Sequence, residues 1–287
     1  MPSWQGKSTG TRTGYGIFVF LLQKCGIRAA YGLLRVVAVY YLLFSRRSSR
    51  ILRLYFRERI GLAGPRVAGS VYRNYYLFGQ SLIDRVVLMA GIPNRLTYNF
   101  DGEDNLRRMV AEGQGGLLLS AHIGNWEIAG HLLERLDTVI HIVMYDAEHQ
   151  KIKDYLEGVT GKRKAHIIVI KDDLSHIYAI SEALKQNELV CMHADRFVEG
   201  TRTLTTDFLG APARFPVGPF VLAKTYKAPV SFVFALKETS RHYHFFASEP
   251  RRYETVEPAL VDFVHSMAEK VKKYPEQWFN YYNFWHL

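Results

Sequence analysis

A histidine and a glutamate separated by four residues, His122 and Glu127, have the types and spacing that suit proton transfer. An imidazole accepts a proton from a hydroxyl near neutral pH, and a carboxylate one helical turn away fixes its tautomer and stabilises the imidazolium that forms. The stretch that carries them, Gly116-Leu-Leu-Leu-Ser-Ala-His-Ile-Gly-Asn-Trp-Glu-Ile-Ala-Gly-His131, changes character midway. Its first half is a short apolar run behind a glycine pair and reads as a buried strand; from Asn125, which suits an N-cap, it reads as a helix. His122 therefore falls where a strand ends, and Glu127 in the first turn of the next helix. In an open α/β sheet that junction is where ligands bind. The same residues admit blander roles: Glu127 complementing the helix dipole and His122 as a polar strand end. Glu127 and His131, four apart with His122 close by, also raise a metal site, but zinc helices place two histidines at that spacing and this chain does not. No metal is expected.

A second polar region follows a strand-like run, in Cys191-Met-His-Ala-Asp-Arg-Phe-Val-Glu-Gly-Thr-Arg-Thr-Leu-Thr-Thr-Asp-Phe208. A strand running out at His193 leads into a loop with Asp195, Arg196, Glu199 and Arg202. Arginine's planar fork suits an anionic acceptor such as a phosphate or phosphorylated sugar. A charged surface loop is the simpler reading of the same residues.

The elements that must position these groups alternate. Apolar runs at Leu117–Ser120, Val139–Met144, His166–Ile170, Leu189–His193, Val230–Ala235 and His242–Ala247 read as strands. Helices fit 126–136, 147–157, 174–186, 217–226 and 258–274. Such alternation predicts an α/β fold with a central, mostly parallel sheet flanked by helices. Pro212, Pro216 and Pro219 read as a rigid turn leading into a helix. With 287 residues and no linker or internal repeat, one α/β domain over residues 101–287 is expected, preceded by a helical segment over residues 1–100.

That N-terminal segment carries the charge. Residues 1–100 hold fifteen Lys and Arg against Glu58 and Asp84, whereas the remainder is slightly acidic, within a net charge of +10. From Ile17 to Phe44 the chain is apolar, interrupted by Lys24, Arg28 and Arg35 on one helical stripe. That is the pattern of a helix lying in a membrane interface, or of a tilted anchor whose arginines snorkel; a soluble core helix with a basic stripe is the alternative. Arg46, Arg50, Arg53 and Arg57 then share the face of a second helix, suited to anionic lipid or to an acidic carrier protein. No nucleic-acid module is recognisable, so nucleic acid is not an expected partner. Cys25 and Cys191 make no disulfide framework and imply a reducing compartment. No signal peptide is evident in the polar first sixteen residues. A serine hydrolase elbow of the Gly-x-Ser-x-Gly type is missing, and Gly113-Gln-Gly-Gly precedes its strand, unlike a dinucleotide fingerprint.

His122, four residues and Glu127, with Asn125-Trp126 between, resembles the signature of the lysophospholipid acyltransferase superfamily, most closely its lipid A late acyltransferase (lauroyl/myristoyl-type) branch. Further matches follow in order. Ala194-Asp195-Arg196 is similar to a strand-end motif of glycerolipid acyltransferases, and Phe197 to Thr203 to their phosphate-holding motif, with Val198 in place of proline. Ala228-Pro229-Val230 and Tyr274-Pro-Glu-Gln-Trp-Phe279 resemble segments of the lipid A branch. The resemblance implies a membrane-associated O-acyltransferase that moves a fatty acyl chain from acyl carrier protein or coenzyme A to a lipid hydroxyl, a lipid A precursor in particular. It implies His122 as general base, Glu127 as its orienter, and Asn125, Arg196, Glu199 and Arg202 at the substrate; a tetrahedral intermediate also needs oxyanion donors, for which the backbone amides near Gly124 and Asn125 at the helix start are candidates. It implies no cofactor, and a place on the cytoplasmic face of a bacterial inner membrane among membrane lipids. A non-catalytic lipid-binding or carrier-docking protein on the same fold is the competing class.

Overall fold

Gly116–Ser120 is buried along its whole length, as a strand covered on both faces requires, and the sheet is built around it. The computed structural model describes residues 12–89, 91–126, 128, 136, 138–145, 166–171 and 173–285. Among the described residues nine strands are numbered in chain order: β1 (Thr97–Asp101), β2 (Gly116–Ser120), β3 (Ile140–Tyr145), β4 (His166–Ile170), β5 (Leu189–His193), β6 (Thr203–Asp207), β7 (Pro212–Pro216), β8 (Val230–Lys237) and β9 (His242–Ala247). Seven of them form a sheet in the order β1-β9-β8-β2-β5-β3-β4. Only the β8–β9 pair is antiparallel; the others run parallel. The expected mostly parallel sheet flanked by helices is the observed fold. In β2 and β5, Ser120 stands opposite His193, so the two chains leave the sheet side by side at its carboxyl edge.

Helices α4 (Glu103–Ala111), α5 (Ser175–Lys185), α6 (Gly218–Tyr226) and α7 (Val256–Lys273) belong to this region. In α7 the buried positions Ala259, Leu260, Phe263, Val264, Met267 and Val271 recur at helical spacing. Phe263 meets Phe220 of α6 and Phe232 of β8 at ring separations of 5.8 and 5.6 Å. The helix expected over 147–157 and most of that over 126–136 lie outside the described residues.

Three stretches depart from expectation. Thr203–Asp207 and the proline-rich Pro212–Pro216, read as loop and turn, pair as an antiparallel two-stranded sheet, Thr203 opposite Pro216 and Asp207 opposite Pro212. Threonines favour extended backbone, and the prolines sit at the ends of β7, where a missing N–H costs least. Thr97–Asp101, not expected as a strand, extends the sheet beside β9.

Ahead of the sheet come α1 (Arg12–Phe44), α2 (Arg46–Leu54), a π-helical turn at Tyr55–Arg59 and α3 (Pro65–Met89). Helix α1 breaks at Gly26, where φ is +77°, a conformation that glycine adopts without steric penalty. Leu22, Ala30 and Leu34 of α1 are buried with Ile83, Val86 and Val87 of α3. On its other side α1 exposes Phe20, Val36, Tyr40, Leu43 and Phe44, together with Lys24, Arg28 and Arg35. Phe20–Phe44 is long and apolar enough to cross a membrane and is a candidate anchor. Arg46, Arg47, Arg50, Arg53 and Arg57 line an open groove of about 650 Å³ with Leu42, Leu43 and Leu54.

The helical segment is tied to the sheet in two ways. One continuous apolar cluster runs from Leu52, Tyr55 and Phe56 to Trp278 and Phe284. A buried polar joint adds to it: Lys237 of β8 is ion-paired with Asp84 of α3, and the hydroxyls of Tyr31 in α1 and Tyr243 in β9 donate to the same carboxylate. A buried carboxylate is tolerable only when paired and hydrogen-bonded in this way.

Candidate active site

The end of β5 is fastened to the end of β2 by a hydrogen bond from Ala194 N to Ser120 O at 2.9 Å. One residue further on, Asp195 is fully buried and faces His122. Its Oδ2 accepts the His122 backbone N–H at 3.0 Å, and its Oδ1 lies 2.7 Å from His122 Nδ1. Burial by itself would raise the Asp195 carboxyl; the His122 ring, the hydrogen bond from it and the Arg196 guanidinium outweigh that and hold it below the ordinary carboxylate range. An ionised carboxylate only accepts hydrogen bonds, so in the neutral ring Nδ1 carries the proton and Nε2 the lone pair. That is the tautomer a general base needs, and the His122 side chain remains partly exposed, at 19%.

His193 stacks on His122, ring centroids 4.1 Å apart and planes 26° off parallel, and Trp126 meets it edge-on at 4.9 Å. Among the described residues, no side chain hydrogen-bonds to either ring nitrogen of His193. Burial first, and the neighbouring His122 second, push its pKa well below that of a free imidazole, so His193 is neutral and acts as an aromatic plate. His122, His193 and Asp195 hold their ligand-type atoms within 4.8 Å of one another. Both oxygens of Asp195 already accept from His122, however, which leaves that set poorly arranged for an ion.

The loop after His122 is fixed by backbone contacts. Gly124 has φ +68°, and a Cβ there would sit 2.0 Å from the Ala235 carbonyl oxygen, so only glycine fits. Gly124 N donates to Gln277 O at 2.9 Å and Asn125 N to Ala235 O at 2.7 Å. Both amides expected as oxyanion donors are therefore engaged within the protein. The Asn125 side chain is buried and donates to Ser81 O at 2.9 Å, which turns it toward α3. Beside this loop a narrow apolar slot of about 50 Å³ is lined by Ser120, Trp126, Leu136, Ile140, Cys191, Val233 and Phe245, among others.

Arg196 follows Asp195 directly. Its Nη2 donates to the Phe279 carbonyl, and its guanidinium carbon lies 6.0 Å from the centre of the Tyr282 ring. Glu199 and Arg202 are exposed on the loop that leads to β6. Glu127, like His131, lies outside the described residues. Sequence spacing pointed to Glu127 as the partner of His122; it did not single out Asp195, 73 positions away, whose role becomes visible only once β2 and β5 are known to be neighbours. The cue available was the Ala-Asp-Arg run at a strand end.

Residues 74–286 match the family of bacterial lipid A biosynthesis acyltransferases. Over 127 residues the chain is also 34% and 33% identical to the phosphatidylinositol mannoside acyltransferases of two strains of Mycobacterium tuberculosis. Those alignments cover 42% of this chain and 39% of each relative, so the chain spans about two-fifths of the length of the curated relatives it matches. With a strand-end histidine buttressed by a buried aspartate, and the family match running across more than half of its length, the chain belongs to the bacterial lipid A biosynthesis acyltransferase family.

Proposed function

We propose that this protein is a membrane-associated O-acyltransferase that transfers a fatty acyl chain, of the lauroyl or myristoyl class, from a thioester donor to a hydroxyl of a lipid acceptor. The donor is acyl carrier protein or coenzyme A, and the acceptor a lipid A precursor or a related glycolipid. The observation that carries the reading is the Asp195–His122 pair, which leaves Nε2 as the basic nitrogen at the carboxyl edge of the sheet, beside an apolar slot. His122 Nε2 takes the proton of the acceptor hydroxyl as its oxygen attacks the thioester carbonyl. The tetrahedral intermediate collapses with cleavage of the C–S bond, and the imidazolium returns its proton to the departing thiolate, giving an ester and a free thiol. Asp195 holds the ring in the productive tautomer and stabilises the imidazolium. Glu127, at the family's spacing from His122 in the sequence, is the residue proposed to support the base electrostatically. Arg202 and Glu199, exposed at the rim, meet the acceptor's polar head, with Arg196 adding positive charge. The apolar face of α1 and the arginines of α2 keep the site at the cytoplasmic surface of a bacterial inner membrane. No metal or redox cofactor takes part.

The test is the lipid profile of a deletion strain by mass spectrometry, complemented with the parent protein and with His122→Ala. Restored acylation by the parent but not by the variant supports the assignment. Full complementation by folded His122→Ala refutes it and leaves a non-catalytic lipid-binding role.

A further inference from the structure

The segment after α7, Pro275 to Phe279, closes a ring of hydrogen bonds around the reactive pair. Phe279 N donates to the His122 carbonyl at 3.0 Å. The carbonyl of the same residue, Phe279 O, accepts from Arg196 Nη2. Arg196 is bonded through the backbone to Asp195, and Asp195 returns to His122 through two hydrogen bonds. The backbone of one residue, Phe279, thus spans both strand ends. Next to it, Ile123 and Trp278 form an antiparallel bridge, extended by the hydrogen bond from Gly124 N to Gln277 O.

The segment is itself held from two directions. Asn74 of α3, fully buried, donates to Glu276 O and Trp278 O at 3.0 Å each. The Gln277 side chain accepts from Lys237 N at 2.8 Å and donates to Lys237 O at 2.7 Å, so it bonds the Lys237 backbone of β8 beyond the residues paired with β2. A peptide held by a buried amide from the helical segment and by another on the sheet is a fixed reference. Errors of an ångström in the placement of a catalytic base cost orders of magnitude in rate, and a loop is the least rigid place to put one.

From these contacts we infer that the C-terminal segment is a clamp that sets the geometry of the His122–Asp195 pair, with the Phe279 backbone as its joint and Arg196, Asn74 and Gln277 as positioning residues. Arg196 on this view acts on the base through Phe279. The inference rests on the acyltransferase reading for its kinetic test, but its spectroscopic test does not.

Three variants of the full-length protein, purified in detergent, separate the possibilities. Phe279→Pro removes the N–H given to His122 and keeps the carbonyl, while Phe279→Ala keeps both and removes only the ring. Arg196→Met removes the donor to Phe279 O from a half-buried position that the fold tolerates more readily. Acyl transfer is followed with a radiolabelled acyl thioester, and the Nδ1–H resonance of His122 by NMR of histidine-labelled protein. The clamp predicts a fall in kcat of tenfold or more for Phe279→Pro and Arg196→Met, KM for the acceptor within about twofold, and a broadened or lost Nδ1–H signal, whereas Phe279→Ala, which keeps both backbone contacts, retains that signal even where loss of the buried ring lowers stability. If Arg196→Met instead raises KM with kcat and the Nδ1–H signal unchanged, Arg196 is an acceptor ligand and the clamp is overturned. Unchanged kcat and an unchanged signal in both variants overturn it as well. A parent protein with no transferase activity sinks the catalytic reading alone, because the Nδ1–H signal still reports whether the segment positions the ring.

Discussion

Asp195→Asn is the sharpest test of the site, because it changes one atom and removes one charge without altering the packing. The carboxylate accepts two hydrogen bonds from the same residue, at 3.0 Å from the His122 backbone and at 2.7 Å on the ring. An amide has one accepting end and one donating end, so it cannot serve both. If its oxygen takes the backbone N–H, its NH₂ faces Nδ1, the ring proton moves to Nε2 and the base is lost. If it turns over, the ring keeps its tautomer but two N–H groups face each other in a buried site, at a cost of about 1–3 kcal/mol for the unsatisfied donor. The charged hydrogen bond to the imidazolium is lost in both arrangements, roughly 1.5–3 kcal/mol more. Summed and converted at about 1.36 kcal/mol per tenfold, kcat falls by roughly 10²–10⁴, a range that meets the loss of about 10⁴ for the corresponding change in serine-protease triads. The assay is single-turnover acyl transfer from a radiolabelled thioester to extracted membrane lipid, with circular dichroism to establish folding. A folded Asp195→Asn protein with kcat within about threefold of the parent refutes the tautomer argument. Glu127→Gln run alongside then tells whether the second carboxylate carries that role.

Three other outcomes follow from features of the same fold. His193 titrates below the 6.5 of a free imidazole because it is buried and faces His122; the unfolded chain therefore binds more protons below about pH 6.5, and stability falls as the pH drops from there toward the folded value. His193→Phe keeps a flat ring and removes this dependence, so the decline in Tm between pH 7 and pH 5 becomes shallower; an unaltered decline disproves the neutral plate. In Gly124→Ala the new Cβ meets the Ala235 carbonyl and the backbone stays at positive φ, which costs at least about 1–3 kcal/mol for the strained conformation alone, read as a lower denaturant midpoint with activity lost. Lys237→Met leaves Asp84 buried without its cation and destabilises by about 3–5 kcal/mol; pairing it with Asp84→Asn restores at least half, whereas equal loss in both proteins argues that packing dominates.

The strands of the sheet centre were legible because both of their faces are covered, which demands uninterrupted apolar runs such as Leu117-Leu-Leu. Strand β6 was hidden because its residues alternate between half-buried and exposed, and β7 because its prolines read as a turn. Strand β1 was hidden for a related reason: it is an edge strand with a burial pattern that alternates. At the site, His122 was legible from its place at the end of a strand. Its buried partner was not, since Asp195 becomes a neighbour through the parallel pairing of β2 with β5, and spacing along the chain carries no trace of sheet order. Arg196 was read as a ligand for an anion, because a sequence shows that an arginine is present but not which carbonyl it faces. The tail resembled a family segment, yet nothing in its letters said that its backbone reaches the histidine loop.

The carboxylate that gathers Tyr31, Tyr243 and Lys237 bears on how the protein is handled at the bench. Trimming the N-terminus to obtain a detergent-free sample is a common shortcut, and here any cut beyond Tyr31 takes a hydroxyl out of a sealed polar cluster and uncovers Ile83, Val86 and Val87 on α3. The exchange of one greasy surface for another, with an ion pair opened to water beneath it, favours precipitation. Polar replacements at the outward Val36, Leu43 and Phe44 leave the inner seam of the helix closed and are the sounder route to a soluble form.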